Sequence, residues 1–193
     1  MLDLDGLNLN LGCGTTKFKN CVNIDIEKAV EPDLVHDFME GLPMYESGTV
    51  DRVFMFHIIE HIQEKHHDPI LFEVYRVLKP DGLFIVSYPE FIKVAQYYID
   101  NKRGNRDYWK KAIYGRGLYP SDTHVALMDS RFFVEKLETL GFEIISIKPE
   151  DVPNEFSTVV KAIKHSKFTG IEDVINREVL GLEDVVVNKP VSE

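Results

Sequence analysis

The sequence predicts a single α/β domain built on a mostly parallel sheet with helices on its faces. Short β-branched and apolar runs alternate with helical patterns over residues 7–165, and this alternation is typical of such a sheet. The chain has 193 residues, of which 44% are hydrophobic and 28% charged, as in an ordinary globular domain. We therefore expect one domain over residues 1–165, followed by a separate C-terminal helix and tail over residues 166–193.

Seven segments have the length and composition of strands. They are Leu7–Leu11, Cys21–Ile26, Asp33–His36, Val50–Phe56, Gly82–Tyr88, Phe142–Lys148 and Ser157–Ile163. Two helices are predicted with most support. Pro69–Leu78 carries its apolar residues on one face, and Ser130–Leu140 is ended by Gly141.

An insert over residues 91–128 interrupts the alternation with aromatic, basic and Gly/Pro-rich sequence. Such an insert usually lies over the carboxyl ends of the strands, where ligands bind, so we expect a cap on the substrate side. Within it, six basic residues against one acidic residue give +5, which leaves −15 for the rest of a chain whose net charge is −10. The six are Lys102, Arg103, Arg106, Lys110, Lys111 and Arg116. Either this charge attracts an anionic acceptor, or the first five of these residues form a solvated helix face around Tyr108 and Trp109.

Composition excludes several classes of protein. The net charge of −10 disfavours nucleic acid as a partner, and apolar runs such as Val53–Phe56 are too short to span a membrane. The acidic start lacks the pattern of a secretory signal. Cys13 and Cys21 form no CxxC pair, so we expect free thiols in a reducing cytoplasm. A helix pattern beginning near Thr169 predicts either docking on its own domain or an arm that packs on a second copy in a homodimer.

A glycine loop follows the first predicted strand in LNLGCGTT. Gly12 and Gly14 allow a tight turn and close approach of the backbone to a ligand. Position 17 is Lys17, so the dinucleotide fingerprint GxGxxG fails, which argues against a nicotinamide or flavin enzyme. Asp25 ends the second strand, where a carboxylate can accept hydrogen bonds from both hydroxyls of a ribose.

The order LNLGCG, VNIDI, VHDF, VDRVFMFHIIEHI and LKPDGLFIVSYP resembles the class I S-adenosylmethionine-dependent methyltransferases, especially small bacterial and phage members. The resemblance implies a Rossmann-like, doubly wound sheet of seven strands, mostly parallel with an antiparallel last strand, and S-adenosylmethionine as the cofactor. It implies contacts with the methionine end by the glycine loop, with the ribose by Asp25, with the adenine after the second and third strands, and with the sulfonium after the fourth. The residues so implied are Leu11, Gly12, Cys13, Gly14, Asp25, Ile26, Asp37, Phe38, Phe56 and His57.

Three departures from the family pattern stand out. Thr16 replaces the third glycine of the loop, and Asp81 replaces the first glycine of the closing LKPGG. Only ten residues separate Gly14 from Asp25, which is too short for a full crossover helix. We therefore expect a loop or a helical turn between the first two strands.

HIIEH, His57 to His61, also matches an H-x-x-E-H zinc motif, which would make the protein a zinc hydrolase. That motif needs one continuous helix, so that both histidines share a face. The preceding VDRVFMF predicts a strand that ends near Phe56, with Glu60 and His61 opening the next helix. We therefore expect no metal. His66 and His67 are predicted to be a solvated loop pair.

These features predict an enzyme that transfers the methyl group of S-adenosylmethionine to a small or medium acceptor. A sugar hydroxyl is the first candidate, since similar proteins often accompany sugar and surface-polysaccharide pathways. A hydroxyl must lose its proton, and His57, His61 and His124 are the candidate bases because histidine titrates near neutral pH. Each could equally be a structural histidine. Tyr88 and Glu90 are predicted at the acceptor edge. The alternative function is a non-catalytic cofactor-binding sensor or assembly protein.

Overall fold

The computed structural model describes residues 5–100, 106–117, 120–149 and 156–165. The predicted C-terminal helix and tail over residues 166–193 lie outside the described residues, as do Lys102 and Arg103. No helix among the described residues is long and apolar enough to cross a membrane.

The seven strands found in these residues form one sheet in the order β3-β2-β1-β4-β5-β7-β6. They are β1 Asn8–Leu11, β2 Val22–Asp25, β3 Leu34–Val35, β4 Val50–Phe56, β5 Leu78–Pro89, β6 Phe142–Pro149 and β7 Ser157–Lys164. Neighbours from β3 to β5 pair in parallel, whereas β7 runs antiparallel to both β5 and β6. The predicted Rossmann-like sheet with an antiparallel last strand is confirmed.

Four α-helices and five short 3₁₀ turns connect the strands within the described residues. The helices are α1 His67–Val77, α2 Phe91–Ile99, α3 Arg106–Tyr114 and α4 Ser130–Thr139. The 3₁₀ turns are Lys28–Val30, Phe38–Glu40, Ile59–His61, Glu64–His66 and Pro120–Asp122. The predicted insert over residues 91–128 therefore contains two helices of its own, α2 and α3.

The fifth strand begins earlier than predicted, because Leu78 already pairs with Val50 of β4. The register then shifts before Arg52 pairs with Leu83, and the chain turns with Asp81 at φ +61°. Aspartate is one of the few residues other than glycine that adopt this left-handed conformation readily. Asp81 in place of the family glycine is therefore compatible with the turn.

One face of the sheet carries the main hydrophobic core, because apolar residues alternate with others along the strands. Leu9, Leu11, Val53 and Met55 point to this face and are essentially inaccessible to solvent. They pack with apolar residues of α1 and α4 in a single cluster.

The opposite face of β1 is covered by the loop of residues 12–21, as the short connection predicts. Two buried asparagines satisfy the loop's polar groups, which the missing helix would otherwise have satisfied internally. Asn10 Nδ2 donates to Thr16 O and to Asn23 Oδ1, each at 3.0 Å. Asn23 Oδ1 also accepts from Phe18 N at 2.8 Å. The asparagine pair thus supplies hydrogen bonds to the loop that a helix would otherwise form within its own backbone.

A second, smaller core joins the insert to the sheet. Val94 of α2, Trp109 of α3 and Phe156, which precedes β7, are buried together. Trp109 is only 4% exposed, so it is not itself part of a solvated helix face. The tryptophan anchors α3 because burying an indole removes a large apolar area from water.

Candidate functional site

The strand order reverses between β1 and β4, and in open α/β sheets ligands bind in the crevice at that point, outside the carboxyl ends of the strands. Gly12 and Gly14 follow β1 there, with φ of +65° and +49°. A Cβ on Gly12 would lie 2.2 Å from Ile58 Cδ1, whereas a Cβ on Gly14 would have no atom within 4 Å. Gly12 therefore lets the segment after β4 pack against the loop, and Gly14 leaves open space for a ligand.

Asp25 ends β2 beside this loop and is only 7% exposed. Its Oδ2 accepts from Gly14 N at 2.7 Å, and its Oδ1 accepts from Glu27 N at 2.8 Å. Each carboxylate oxygen keeps a second lone pair. The backbone thus fixes the carboxylate and leaves two acceptor positions, which is what a pair of neighbouring hydroxyls requires.

Residues after β3 complete this side of the crevice. His36 N donates to Asp25 O at 3.0 Å, which ties the end of β3 to the end of β2. Asp37 then caps the turn Phe38–Glu40, because its Oδ1 accepts from Met39 N at 2.9 Å. Phe38 is half-buried, and Ile26 is 51% exposed. Exposed apolar groups beside an acid suit a planar, partly polar ring.

On the other side of the crevice, the residue that follows β4 has a strained backbone. His57 has φ +54° although it is not glycine, and its N–H donates to Ser87 O of β5 at 2.9 Å. Its Nδ1 lies 3.3 Å from Glu60 Oε1, and its side chain is 30% exposed. A left-handed conformation costs a residue other than glycine energy, and strained residues of this kind cluster at functional sites.

The segment after His57 does not open a helix as predicted. Glu60 and His61 lie in the 3₁₀ turn Ile59–His61, and α1 begins only at His67. The prediction that His67 is solvated is also wrong. Its side chain is buried, and Nε2 donates to Ile59 O at 3.1 Å and to Ile62 O at 2.9 Å. Burial lowers the pKa of His67, so the neutral imidazole clamps the turn.

The insert brings His124 to this turn. Glu60 O accepts from Val125 N at 2.9 Å and from Ala126 N at 3.1 Å. His61 Nδ1 bonds Thr123 O at 3.1 Å, and the rings of His61 and His124 lie 4.8 Å apart. Burial lowers the pKa of His124, an effect that the nearby Glu60 partly opposes. The three predicted bases thus meet around Glu60, at the same edge as the glycine loop.

A family model described as a methyltransferase domain matches residues 9–86, the stretch from β1 to β5 that builds this crevice. Over these residues the chain is similar to a methyltransferase domain, and its fold is that of the class I S-adenosylmethionine-dependent methyltransferases. This family uses S-adenosylmethionine as its cofactor.

Curated relatives are longer proteins. The chain is 23% identical over 175 residues to a sphingolipid C9-methyltransferase of Komagataella phaffii, covering 88% of this chain and 33% of that protein. It is 29% identical over 112 residues to a probable S-adenosylmethionine-dependent methyltransferase of Mycolicibacterium smegmatis, covering 58% of this chain and 35% of that protein. The chain thus spans about a third of the length of these relatives.

Solved methyltransferases share the fold at low identity. One from Methanosarcina mazei superposes with a TM-score of 0.62 at 18% identity, covering 83% of this chain and 93% of that chain. One from Archaeoglobus fulgidus superposes with a TM-score of 0.60 at 16% identity, covering 82% of this chain and 86% of that chain. The sheet order is therefore that of a methyltransferase, whereas the acceptor has to be argued from this chain's own residues.

The residues present fit S-adenosylmethionine, with Gly14 and Asp25 as the groups that would hold it. Of the other implied contacts, Leu11 and Cys13 are buried at 1% and 4% exposure, so contact with the cofactor would come from their backbone. Burial raises the pKa of the Cys13 thiol to about 11, which keeps it protonated. Phe56 packs edge-on against Phe18, with ring centroids 5.6 Å apart.

Tyr88 and Glu90 do not line an acceptor site, contrary to prediction. Tyr88 is fully buried in β5 and its hydroxyl lies 3.1 Å from Ser130 Oγ. Glu90 accepts hydrogen bonds from Ser130 N and from Ser130 Oγ. The two side chains therefore anchor the start of α4.

Part of the basic character of the insert is neutralised locally. Lys111 pairs with Asp107 at 3.0 Å, and Arg116 pairs with Asp122 at 3.5 Å. Lys110 is exposed on α3. The insert also reaches the segment that follows β2, where Ser121 Oγ donates to Glu27 Oε1 at 3.2 Å.

Proposed function

We propose that this methyltransferase transfers the methyl group of S-adenosylmethionine to a hydroxyl of a small or medium acceptor, with a sugar hydroxyl as the first candidate. The observation that carries the proposal is the group of His57, Glu60, His61 and His124 at the carboxyl edge of β4. An acceptor with no proton to lose needs only positioning. A hydroxyl needs a proton acceptor as well, and the histidines at this edge support such a role.

S-adenosylmethionine supplies an activated methyl group, which forms its bond to the acceptor oxygen as its bond to sulfur breaks and the electron pair stays on sulfur. The chain's part is to orient the acceptor and to take its proton. We assign His57 as the proton acceptor, with His61 and His124 as the remaining candidates. Its Nδ1 faces the buried Glu60 carboxylate at 3.3 Å, which would hold the ring and stabilise the imidazolium.

The proposal extends to the acceptor's charge and to the location of the protein. An anionic acceptor such as a phosphorylated or nucleotide-linked sugar is supported by the basic insert, of which Lys110 is an exposed member. A cytoplasmic location is supported by Cys13 and Cys21, both of which are free thiols. The net charge of −10 supports a small molecule rather than nucleic acid as the partner. A homodimer through residues 166–193 stays a prediction.

The test is methyl transfer from radiolabelled S-adenosylmethionine to a panel of free sugars, sugar phosphates and nucleotide-linked sugars, with products identified by mass spectrometry. We expect the label on an oxygen of one acceptor class. Label on nitrogen or carbon would contradict the hydroxyl proposal. Stoichiometric cofactor binding with no transfer to any acceptor would instead support the non-catalytic sensor or assembly protein.

A further inference from the structure

Beyond the cofactor site, the structure brings together a set of metal-ligating side chains that the sequence does not connect. We propose that Glu60, His61 and His124 form a binding site for a divalent transition-metal ion. Each of the three residues offers one ligand atom, and these atoms all lie within 4.8 Å of one another. Ligand atoms around one ion at about 2.0–2.2 Å lie closer together than that, so only small side-chain movements are needed.

The backbone holds the three ligands in place. Glu60 and His61 are adjacent in the turn Ile59–His61, which the buried His67 clamps from the side of α1. The segment of residues 123–126 is bonded to the same turn on both sides of His124, through Thr123 O and through Val125 N. Precise backbone placement of this kind distinguishes a site from a chance cluster of surface groups.

The hydrogen bond of His61 sets its tautomer. A carbonyl oxygen only accepts, so Nδ1 of His61 carries the hydrogen that is donated to Thr123 O at 3.1 Å. Nε2 then keeps its lone pair. Metal-binding histidines almost always donate their other ring N–H to a carbonyl or a carboxylate in this way.

Glu60 supplies an independent observation. Its side chain is 2% exposed. Oε1 faces His57, but Oε2 is buried without a hydrogen-bond partner among the described residues. A buried carboxylate oxygen without a partner is costly and therefore needs an explanation. A cation bound between Glu60, His61 and His124 would satisfy that oxygen.

The donor set indicates the kind of ion. Two imidazole nitrogens and one carboxylate oxygen suit zinc, manganese, iron or cobalt, whereas calcium and magnesium prefer oxygen ligands alone. The H-x-x-E-H zinc motif would have used His57 and His61 on one α-helix, whereas His57 precedes the 3₁₀ turn Ile59–His61 and α1 begins only at His67. In the proposed site the third ligand is His124 of the insert. The absence of an α-helix through HIIEH therefore does not exclude a metal here.

The catalytic role of this ion rests on the proposed function. An ion with three protein ligands keeps a position open for a further oxygen, and a bound hydroxyl has a lowered pKa. The acceptor hydroxyl would bind there and pass its proton to His57, which lies against Glu60 but is outside the ligand set. His61 and His124 would then be ligands rather than bases.

The test is metal binding to untagged protein that has first been dialysed against a chelator. Zinc chloride is titrated by calorimetry and manganese chloride by electron paramagnetic resonance. We expect one ion per chain. His61→Ala and His124→Ala should weaken binding by roughly 100-fold or more, because even the outer partners of metal ligands contribute about 10- to 100-fold. His66→Ala, a histidine in the neighbouring turn Glu64–His66, should bind as the wild type does.

Two measurements protect the test from misfolded variants. Glu60→Gln keeps the shape of the buried side chain and should also lose metal, with an unchanged circular dichroism spectrum. Cobalt bound to the wild type should give the visible absorption bands of a site with nitrogen ligands. A wild type that binds zinc no better than His124→Ala does would overturn the metal site. Calorimetry with S-adenosylmethionine on the same wild-type sample separates the two proposals, because cofactor binding without metal binding contradicts the metal site alone.

Discussion

The two halves of the crevice are built differently. On the cofactor half, both oxygens of the Asp25 carboxylate accept backbone N–H groups, which belong to Glu27, 2 residues away, and to Gly14, 11 residues away. On the acceptor half, Glu60 keeps a buried oxygen without a partner among the described residues. There the key hydrogen bond joins His61 to Thr123 across 62 residues. The half around Asp25, which we propose holds the cofactor, is complete in itself. The half around Glu60, which we propose holds the acceptor, is completed by the insert.

This difference suggests how the family can keep one cofactor while changing its acceptors. Backbone groups that are local in sequence fix Asp25 whatever the insert contains. The positions of His61 and His124 depend on the segment of residues 123–126. A change in the insert should therefore alter acceptor chemistry and leave the affinity for the cofactor intact.

The largest expected effect is on turnover. Replacing His57 by Gln removes the proposed proton acceptor, so we expect turnover with the hydroxyl acceptor to fall by about 10²–10⁴-fold. The affinity for S-adenosylmethionine should stay near that of the wild type, because Asp25 and Gly14 are unchanged. Steady-state kinetics and calorimetry on the same preparations check both. Wild-type rates in both His57→Gln and His61→Gln would exclude these histidines as bases and leave His124 to be tested.

The next effect separates the two glycines of the loop. Gly12→Ala would place a methyl group against Ile58, and we expect it to cost about 1–3 kcal/mol from overpacking. That cost adds to the roughly 1–2 kcal/mol of a left-handed alanine, which Gly14→Ala shares. Urea unfolding of both variants measures the difference.

A double variant tests the cause of that difference. Ile58→Ala should make room for the new methyl group, so Gly12→Ala should cost less in that background. An equal loss of stability in both backgrounds would show that Ile58 does not fill the space beside Gly12.

A smaller effect concerns His67, which holds the turn Ile59–His61 of the acceptor half through hydrogen bonds to Ile59 O and Ile62 O. Burial holds its folded-state pKa below the ordinary value of 6.5, with Lys136 lowering it and Glu64 raising it. The unfolded chain therefore binds the proton first as the pH falls below about 6.5, and the free energy of unfolding falls with it. His67→Gln lacks this contribution. The wild type should exceed the variant in free energy of unfolding by less as the pH is lowered from about 8 to about 5.5. A difference that stays constant over this range would contradict the assignment of His67 as a buried, neutral histidine.

The smallest expected effect concerns the exposed charge of the insert. Charge reversal in Lys110→Glu should raise the KM of an anionic acceptor and reduce its dependence on salt, because ions screen long-range attraction. The affinity for S-adenosylmethionine should not change. Lys65→Glu, an exposed lysine outside the insert, is the matched control. A wild-type KM that is indifferent to salt would remove the argument for an anionic acceptor.

The sequence predicts the cofactor half well because its signals are local. All seven strands, the loop in place of a crossover helix and the position of Asp25 follow from residues close in the chain. The network of Asn10 and Asn23 was missed, although two asparagines in apolar strands are a signal that buried polar groups bond something nearby.

The acceptor half could not be predicted in the same way. Nothing in HIIEH indicates that His124 will lie against it, since the contact depends on how the insert folds back over the sheet. His67 was misjudged because a histidine pair in a polar stretch resembles a solvated loop, whereas the buried carbonyls of Ile59 and Ile62 need a donor. Long-range backbone contacts of this kind leave no periodicity in the sequence.

The most direct test of the central claim is calorimetric titration of S-adenosylmethionine into three proteins: the wild type, Asp25→Ala and His124→Ala. Each charge-assisted hydrogen bond contributes about 1.5–3 kcal/mol, so Asp25→Ala should bind at least about tenfold more weakly, with its fold intact by circular dichroism. His124→Ala should bind as the wild type does, because it alters only the acceptor half. Unchanged affinity in Asp25→Ala would contradict the account and would remove Asp25 from the cofactor site.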